Sequence, residues 1–236
     1  MKNTDAVILA GGLGTRLGDS AGDLPKVLVP VNGKPFLEFV FKLISRSKFV
    51  TRVVLAVGHK ADKIISKYQD NSDYGFEILF SLEKDLLGTG GAIKKALQYT
   101  KSDDILVLNG DSYVDIDIQS FISAHESKGA SISIALTYVE NANRYGKVNM
   151  STNNKIVSFE EKAPSSSGGY INCGVYLLKK SVFDRVPENT ALSLEKDLLP
   201  DMIKSDAYGF ICNGKFIDIG VPEAYGLASE YLKEED

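Results

Sequence analysis

Four apolar runs stand out in the first 110 residues: DAVILA (5–10), RVVLAVG (52–58), FEILFS (76–81) and DILVLNG (104–110). Continuous apolar or β-branched runs of this length suit strands buried on both faces of a parallel sheet. Helix-like segments lie between them at 36–47, 61–69 and 91–100. In the first, Phe36, Leu37, Val40, Phe41 and Ile44 recur at the spacing of an amphipathic helix. Strand–helix–strand alternation predicts right-handed crossovers on an open sheet. Ligands of such sheets gather at the C-terminal ends of the strands, which singles out LAGG (9–12) and NGDS (109–112).

Beyond residue 130 the pattern changes. SISIALTY (131–138), GKVNM (146–150), KIVSFEEK (155–162) and YINCGVYLL (170–178) follow one another, separated by turn signals such as STNN and PSSSGG. They predict a mixed β extension covering one side of the site, as a lid rather than an independent domain. A helical stretch around 194–204, a short strand FIDIG (216–220) and a helix from Pro222 close the chain; proline suits a first helical turn. With no repeat and no long linker, residues 1–236 read as a single α/β unit.

Composition narrows the field. The 236 residues are 44% hydrophobic and 25% charged with net charge −4, ordinary for a soluble globular protein and contrary to nucleic acid as the main partner. The apolar run near the N-terminus is too short for a signal peptide, and no run approaches the ~20 apolar residues of a membrane span. A cytoplasmic protein without a membrane partner is expected. Cys173 and Cys212 lie in strand-like runs without metal-ligand spacing and read as buried free thiols. His59 and His125 have no partner in the sequence and read as structural.

Candidate chemistry begins with GGLGTRLG (11–18), after the first strand. Thr15-Arg16-Leu17 stands where a Walker A loop needs Lys-Ser/Thr, and Gly18 falls one place late for a dinucleotide fingerprint. What remains is physical: glycines let the backbone approach a ligand, successive N–H groups can form an anion nest, and Arg16 adds a planar fork of donors. A plain structural turn is the alternative. In LPKVLVPVNGKP (24–35), Pro25 and Pro30 are expected to hold the chain extended around Lys26, which reads as a phosphate contact, whereas Lys34 reads as an exposed turn lysine.

GGLGTRL followed at this distance by PKVLVPVNGKP resembles the sugar-1-phosphate nucleotidylyltransferases, the nucleotide-sugar pyrophosphorylases, and the resemblance spans nearly the whole chain. It implies the nucleotide-diphospho-sugar transferase fold: an open, mostly parallel Rossmann-like sheet with helices on both faces. It assigns 1–130 mainly to the nucleotide and 131–236 mainly to the sugar phosphate. Leu9, Ala10, Gly11, Gly12, Gly14 and Thr15 would bind the nucleoside triphosphate, Arg16 would engage its phosphates, and Lys26 would bind phosphate near the reacting centre. LLGTGGAI (86–93) resembles the base-recognition segment, giving Gly88 and Thr89 to the nucleobase; Thr89 also reads as a helix N-cap. Asp111 in LNGDSYVDID and Asp218 in FIDIGVPEAY would hold Mg²⁺. Phe216 and Val221 depart from the Trp and Thr of the family's WxDIGTPxxY pattern. Asp115 and Asp117 read as helix-entry acids. RYGKV (144–148) implies a sugar contact through Gly146, and FEEK (159–162) implies Glu161 for sugar hydroxyls and Lys162 for the sugar phosphate. Asn172 and Glu195 complete the sugar set; without the resemblance, each of these reads as a surface or capping residue.

The implied reaction is in-line attack of a sugar phosphate oxygen on the α-phosphorus of a nucleoside triphosphate, with Arg16, Lys26 and Asp111 closest to the chemistry. No general base is required, because the attacking phosphate is already ionised. GDLPK, NGKPFLEF, LGTGGAIK, RYGKVN, SFEEK and FIDIGVPE together resemble one subgroup, the D-glycero-α-D-manno-heptose 1-phosphate guanylyltransferases. That implies GTP and a heptose 1-phosphate as substrates and GDP-heptose for surface polysaccharide as product. A uridylyltransferase acting on glucose 1-phosphate or N-acetylmuramic acid 1-phosphate is the alternative. A non-catalytic nucleotide-sugar-binding subunit is a further one, disfavoured because Arg16, Lys26, Asp111 and Asp218 are all present. A homo-oligomer is compatible with the sequence.

Overall fold

A computed structural model describes residues 3–14, 17, 22–71, 73–143, 145–160 and 168–233. Strand β1 (Thr4–Leu9) leads into the glycine-rich loop, a 3-10 turn (Lys26–Leu28) and a small hairpin of β2 (Pro30–Val31) and β3 (Lys34–Pro35). Then come α1 (Phe36–Ser45), β4 (Val50–Val57), α2 (Ala61–Tyr68), β5 (Glu77–Leu82), α3 (Gly88–Ala96), β6 (Asp104–Asn109), β7 (Ser112–Val114) and α4 (Ile118–Lys128). The remaining elements are β8 (Ile132–Val139), β9 (Lys147–Met150), β10 (Ile156–Glu160), β11 (Gly169–Lys179), α5 (Leu199–Met202), β12 (Ala207–Ile211), β13 (Phe216–Asp218) and α6 (Pro222–Tyr231).

Nine strands form the main sheet. Its centre is parallel: β1 lies between β4 and β6, and β5 flanks β4. Chain order reverses across β1, the position at which open α/β sheets part their loops and form a ligand crevice. Strand β11 runs antiparallel beside β6 and joins the sheet to β8, β9, β10 and β12. The β extension is therefore continuous with the central sheet and forms one wall of the site. Strands β7 and β13 pair in a separate ribbon.

Helices cover both faces, and β1 shows why its run AVIL is apolar: Ala6, Val7 and Ile8 are completely buried. Ala6 and Ile8 pack in the cluster built by α1, α2, α4 and α6, while Val7 joins the opposite cluster with α3. Cys173 and Cys212 are buried free thiols, and Pro222 opens α6 as expected. His125 is buried on α4 with Nδ1 2.9 Å from Ser133 Oγ. Among the described residues, no helix is long and apolar enough to cross a membrane.

Several local expectations are corrected. Helix α3 begins at Gly88 rather than at 91, so Thr89 lies inside it and does not cap it; the residue at the cap position is Leu87. Pro25 is extended, but Lys26 starts a 3-10 turn instead of continuing an extended segment. The helical stretch expected around 194–204 is present, as one π-type turn (Leu194–Leu198) that continues into the short α5. Asp117 does cap α4, accepting hydrogen bonds from the Gln119 and Ser120 amides at 2.9 and 3.2 Å, whereas Asp115 pairs with Arg46 at 3.3 Å.

Candidate active site

The crevice at the strand ends holds a cavity of about 420 Å³. Its wall includes Leu9, Ala10, Gly11 and Gly12 after β1, Glu83 after β5, and Asn109, Asp111 and Ser112 after β6. Lys26, Gly88, Thr89, Gly146, Asn172, Glu195 and Asp218 complete the sequence-predicted set that the fold gathers around this space. Gly14 is outside the wall, next to the Lys26 side chain. Thr15, Arg16, Glu161 and Lys162 lie outside the described residues.

Lys26 is the pivot of one end. Its side chain is only 10% exposed, and its ammonium is hydrogen-bonded to Asp111 Oδ2 and lies 4.0 Å from Asp218 Oδ1. The β7–β13 ribbon brings the two carboxylates together: Asp218 is in register with Ser112, beside Asp111. The Gly220 amide donates to Asp218 Oδ1 at 2.7 Å and the Ile219 amide to the Asp111 carbonyl at 3.0 Å, which fixes the turn that carries them. Two carboxylates converging on one cation form an all-oxygen donor set. That set fits Mg²⁺, which takes one or two carboxylates and completes its shell with phosphate and water.

The opposite end is built on α3. The Gly90 and Gly91 amides donate to the Leu192 carbonyl at 2.8 and 3.3 Å, and the Leu192 amide donates to the Leu87 carbonyl at 2.9 Å. A Cβ at Gly88 would lie 2.6 Å from Leu192 O, and one at Gly91 would lie 2.3 Å from Thr190 O. The GTGG run thus lets segment 190–194 lie directly on the first turn of the helix, a packing reason for glycine that the sequence reading did not contain. Thr89 Oγ1 donates to Glu195 Oε2 at 2.8 Å and accepts from the Leu194 amide at 2.7 Å, tying the same segment to the helix.

Asn109, in the NGDS stretch that the strand-end rule singles out, is on the wall; residues that sequence reasoning missed include Glu83, Tyr145, Cys173, Ser193 and Lys196. Glu83 had a legible signal: it is an acid immediately after an apolar strand and just before LLGTGG. Its carboxylate is buried, with Oε2 accepting from the Leu87 amide at 3.0 Å and Oε1 next to Gly11. Burial holds its pKa above the usual carboxylate value, against the lowering effects of that amide and of Lys95. Burial also pushes the Cys173 thiol well up, which makes it a poor nucleophile despite its place on the wall.

Comparison with known proteins gives a consistent picture. The family model described as Nucleotidyl transferase matches residues 5–235. A D-glycero-α-D-manno-heptose 1-phosphate guanylyltransferase from Campylobacter jejuni is 42% identical over 220 residues, 93% of this chain and 96% of that protein. One of the same name from Aneurinibacillus thermoaerophilus is 36% identical over 230 residues, covering 97% and 98% of the two chains. The crystal structure of HddC from Yersinia pseudotuberculosis complexed with GMP-PN is 36% identical, superposes with a TM-score of 0.83, and is covered completely by 98% of this chain.

Proposed function

The chain belongs to the nucleotidyl transferase family, and from that premise we propose that it transfers the guanylyl group of GTP to D-glycero-α-D-manno-heptose 1-phosphate. The products are GDP-heptose and pyrophosphate. The relatives' names support the substrate pair, and the observation in this molecule that carries the choice of base is Glu83. A buried carboxylate on the cavity wall is an acceptor for the N1–H and N2 amino donors of guanine. The uracil and thymine edges offer N3–H flanked by carbonyl oxygens, which a carboxylate repels.

A phosphate oxygen of the sugar phosphate forms a bond to the α-phosphorus, the bond from that phosphorus to the bridging oxygen breaks, and the electron pair leaves with pyrophosphate. The protein positions the two anions and offsets their charge. Gly11 and Gly12 present backbone to the triphosphate. Lys26, oriented by Asp111, places a cation where the two anions approach each other. Arg16 and Lys162 add positive charge to the leaving and attacking phosphates. Asp111 and Asp218 would hold Mg²⁺, which when bound supplies charge neutralisation at the phosphate oxygens. We propose the cytoplasm as the site of the reaction.

The test is pyrophosphate release with Mg²⁺ across GTP, UTP, CTP, ATP and dTTP, each with heptose, mannose, glucose and N-acetylmuramic acid 1-phosphates. Release is expected with GTP and the heptose phosphate above all other pairs. A preference for UTP with a hexose phosphate would overturn the base and sugar assignments, and nucleotide binding with no release anywhere would overturn the enzymatic one.

A further inference from the structure

Strand β11 carries a β-bulge between Asn172 and Tyr176, where its register against β8 slips. Gly174, with φ +74°, sits within the bulge, in a conformation that strongly favours glycine. The bulge turns Asn172 and Tyr176 toward each other, so that Asn172 Nδ2 lies 2.7 Å from the Tyr176 hydroxyl. That hydroxyl lies 3.0 Å from Glu195 Oε1. Asn172 and Glu195 are on the cavity wall. Tyr176 is completely buried behind them.

The direction of each hydrogen bond in this chain is fixed. The Gly174 amide can only donate, so Asn172 Oδ1 accepts from it at 2.9 Å and the amide nitrogen must point to Tyr176. The Glu195 carboxylate can only accept, so the phenol donates to it and accepts from Asn172. On its other oxygen, Glu195 accepts from Thr89 at 2.8 Å and from Ser193 at 3.1 Å. Three protein donors therefore hold one carboxylate still, and a single phenol sets the orientation of both wall residues.

We propose that Tyr176 is a positioning residue for the sugar-phosphate end of the site, acting through Asn172 and Glu195 without touching substrate. This rests on the functional reading above, which gives those two residues to the sugar. Tyr176→Phe removes only the hydroxyl. The KM for the sugar 1-phosphate is expected to rise about tenfold, the loss of one hydrogen bond to a charged group, with the KM for the nucleotide unchanged. A Tyr176→Phe/Glu195→Gln double variant is expected to raise the sugar-phosphate KM by less than the product of the two single rises, because the phenol works in part through that carboxylate.

A sugar-phosphate KM within twofold of wild type, equal rises in both KM values, or additive losses in the double variant would overturn the proposal. Should Tyr176→Phe fail to fold, Glu195→Gln carries the test, since an unchanged sugar-phosphate KM there also overturns it. The assay uses whichever sugar 1-phosphate the wild type consumes fastest. A wrong sugar therefore appears in the wild-type data as a failure of the functional reading and leaves the positioning test intact.

Discussion

Glu83 follows β5 as a buried carboxylate held by one backbone amide, and its behaviour should separate binding from stability. Glu83→Gln keeps the shape but replaces one acceptor oxygen with a donor that opposes the guanine edge. The KM for GTP is expected to rise roughly 10- to 100-fold, the cost of a lost charge-assisted hydrogen bond, while the KM for UTP rises far less; steady-state kinetics with both nucleotides checks this. Burial raises this group's pKa, so acidification should weaken GTP binding at a higher pH than an ordinary carboxylate would, and the Gln variant should lose that step. Stability has the opposite sign: a folded pKa above the unfolded one means that the contribution is fully present below the unfolded pKa and fades as pH rises through the folded one. Single residues were unevenly legible. Lys26 and Asp111 stand in distinctive local patterns. Tyr176 looks like any core tyrosine, because its role depends on partners distant in the chain.

At the level of elements, strands and long amphipathic helices were readable because their apolar periodicity is strong, and α1 begins at Phe36 as its spacing predicts. The start of α3 was misplaced because glycines in GTGG argue against helix on propensity alone. Tertiary contact with segment 190–194 overrides that preference, and nothing local to residues 88–91 announces it. The cap of α4 was legible in Asp117. Its side chain accepts from Gln119 and Ser120, and the Ser120 hydrogen bonds hold its pKa below the usual value. Asp117→Ala should destabilise the fold by about 1 kcal/mol, measured by urea unfolding at neutral pH. With a lowered folded pKa, the contribution is present above the unfolded value and lost as pH falls through the folded one. The gap between variant and wild type should therefore close in acid, and a gap that persists there would count against a charged cap.

For the whole molecule, apolar patterning revealed a parallel centre and a β-rich second half but not how they join. Strand β11 enters beside β6, with Val175 opposite Leu108 and Leu178 opposite Ile105, a pairing between segments too distant in sequence for periodicity to report. Both apolar clusters draw on both halves of the chain, with Ala6 and Cys173 in one and Val7 and Tyr176 in the other. The bulge in β11 then has a consequence in time. C-terminal to it, Tyr176 to Leu178 are laddered to β6 on one side and β8 on the other; N-terminal to it, Tyr170 to Asn172 are laddered to β8 and, on the other side, meet the edge strand β9 through the Ile171–Lys147 pair and the Asn172 amide, which donates to the Gly146 carbonyl at 3.0 Å. Native-state amide hydrogen exchange should find the first group opening only with global unfolding and the second exchanging earlier, through a local excursion. Equal rates on the two sides would refute this. Unequal rates would mean that the wall bearing Asn172 breathes on its own clock while the strand that anchors it stays shut.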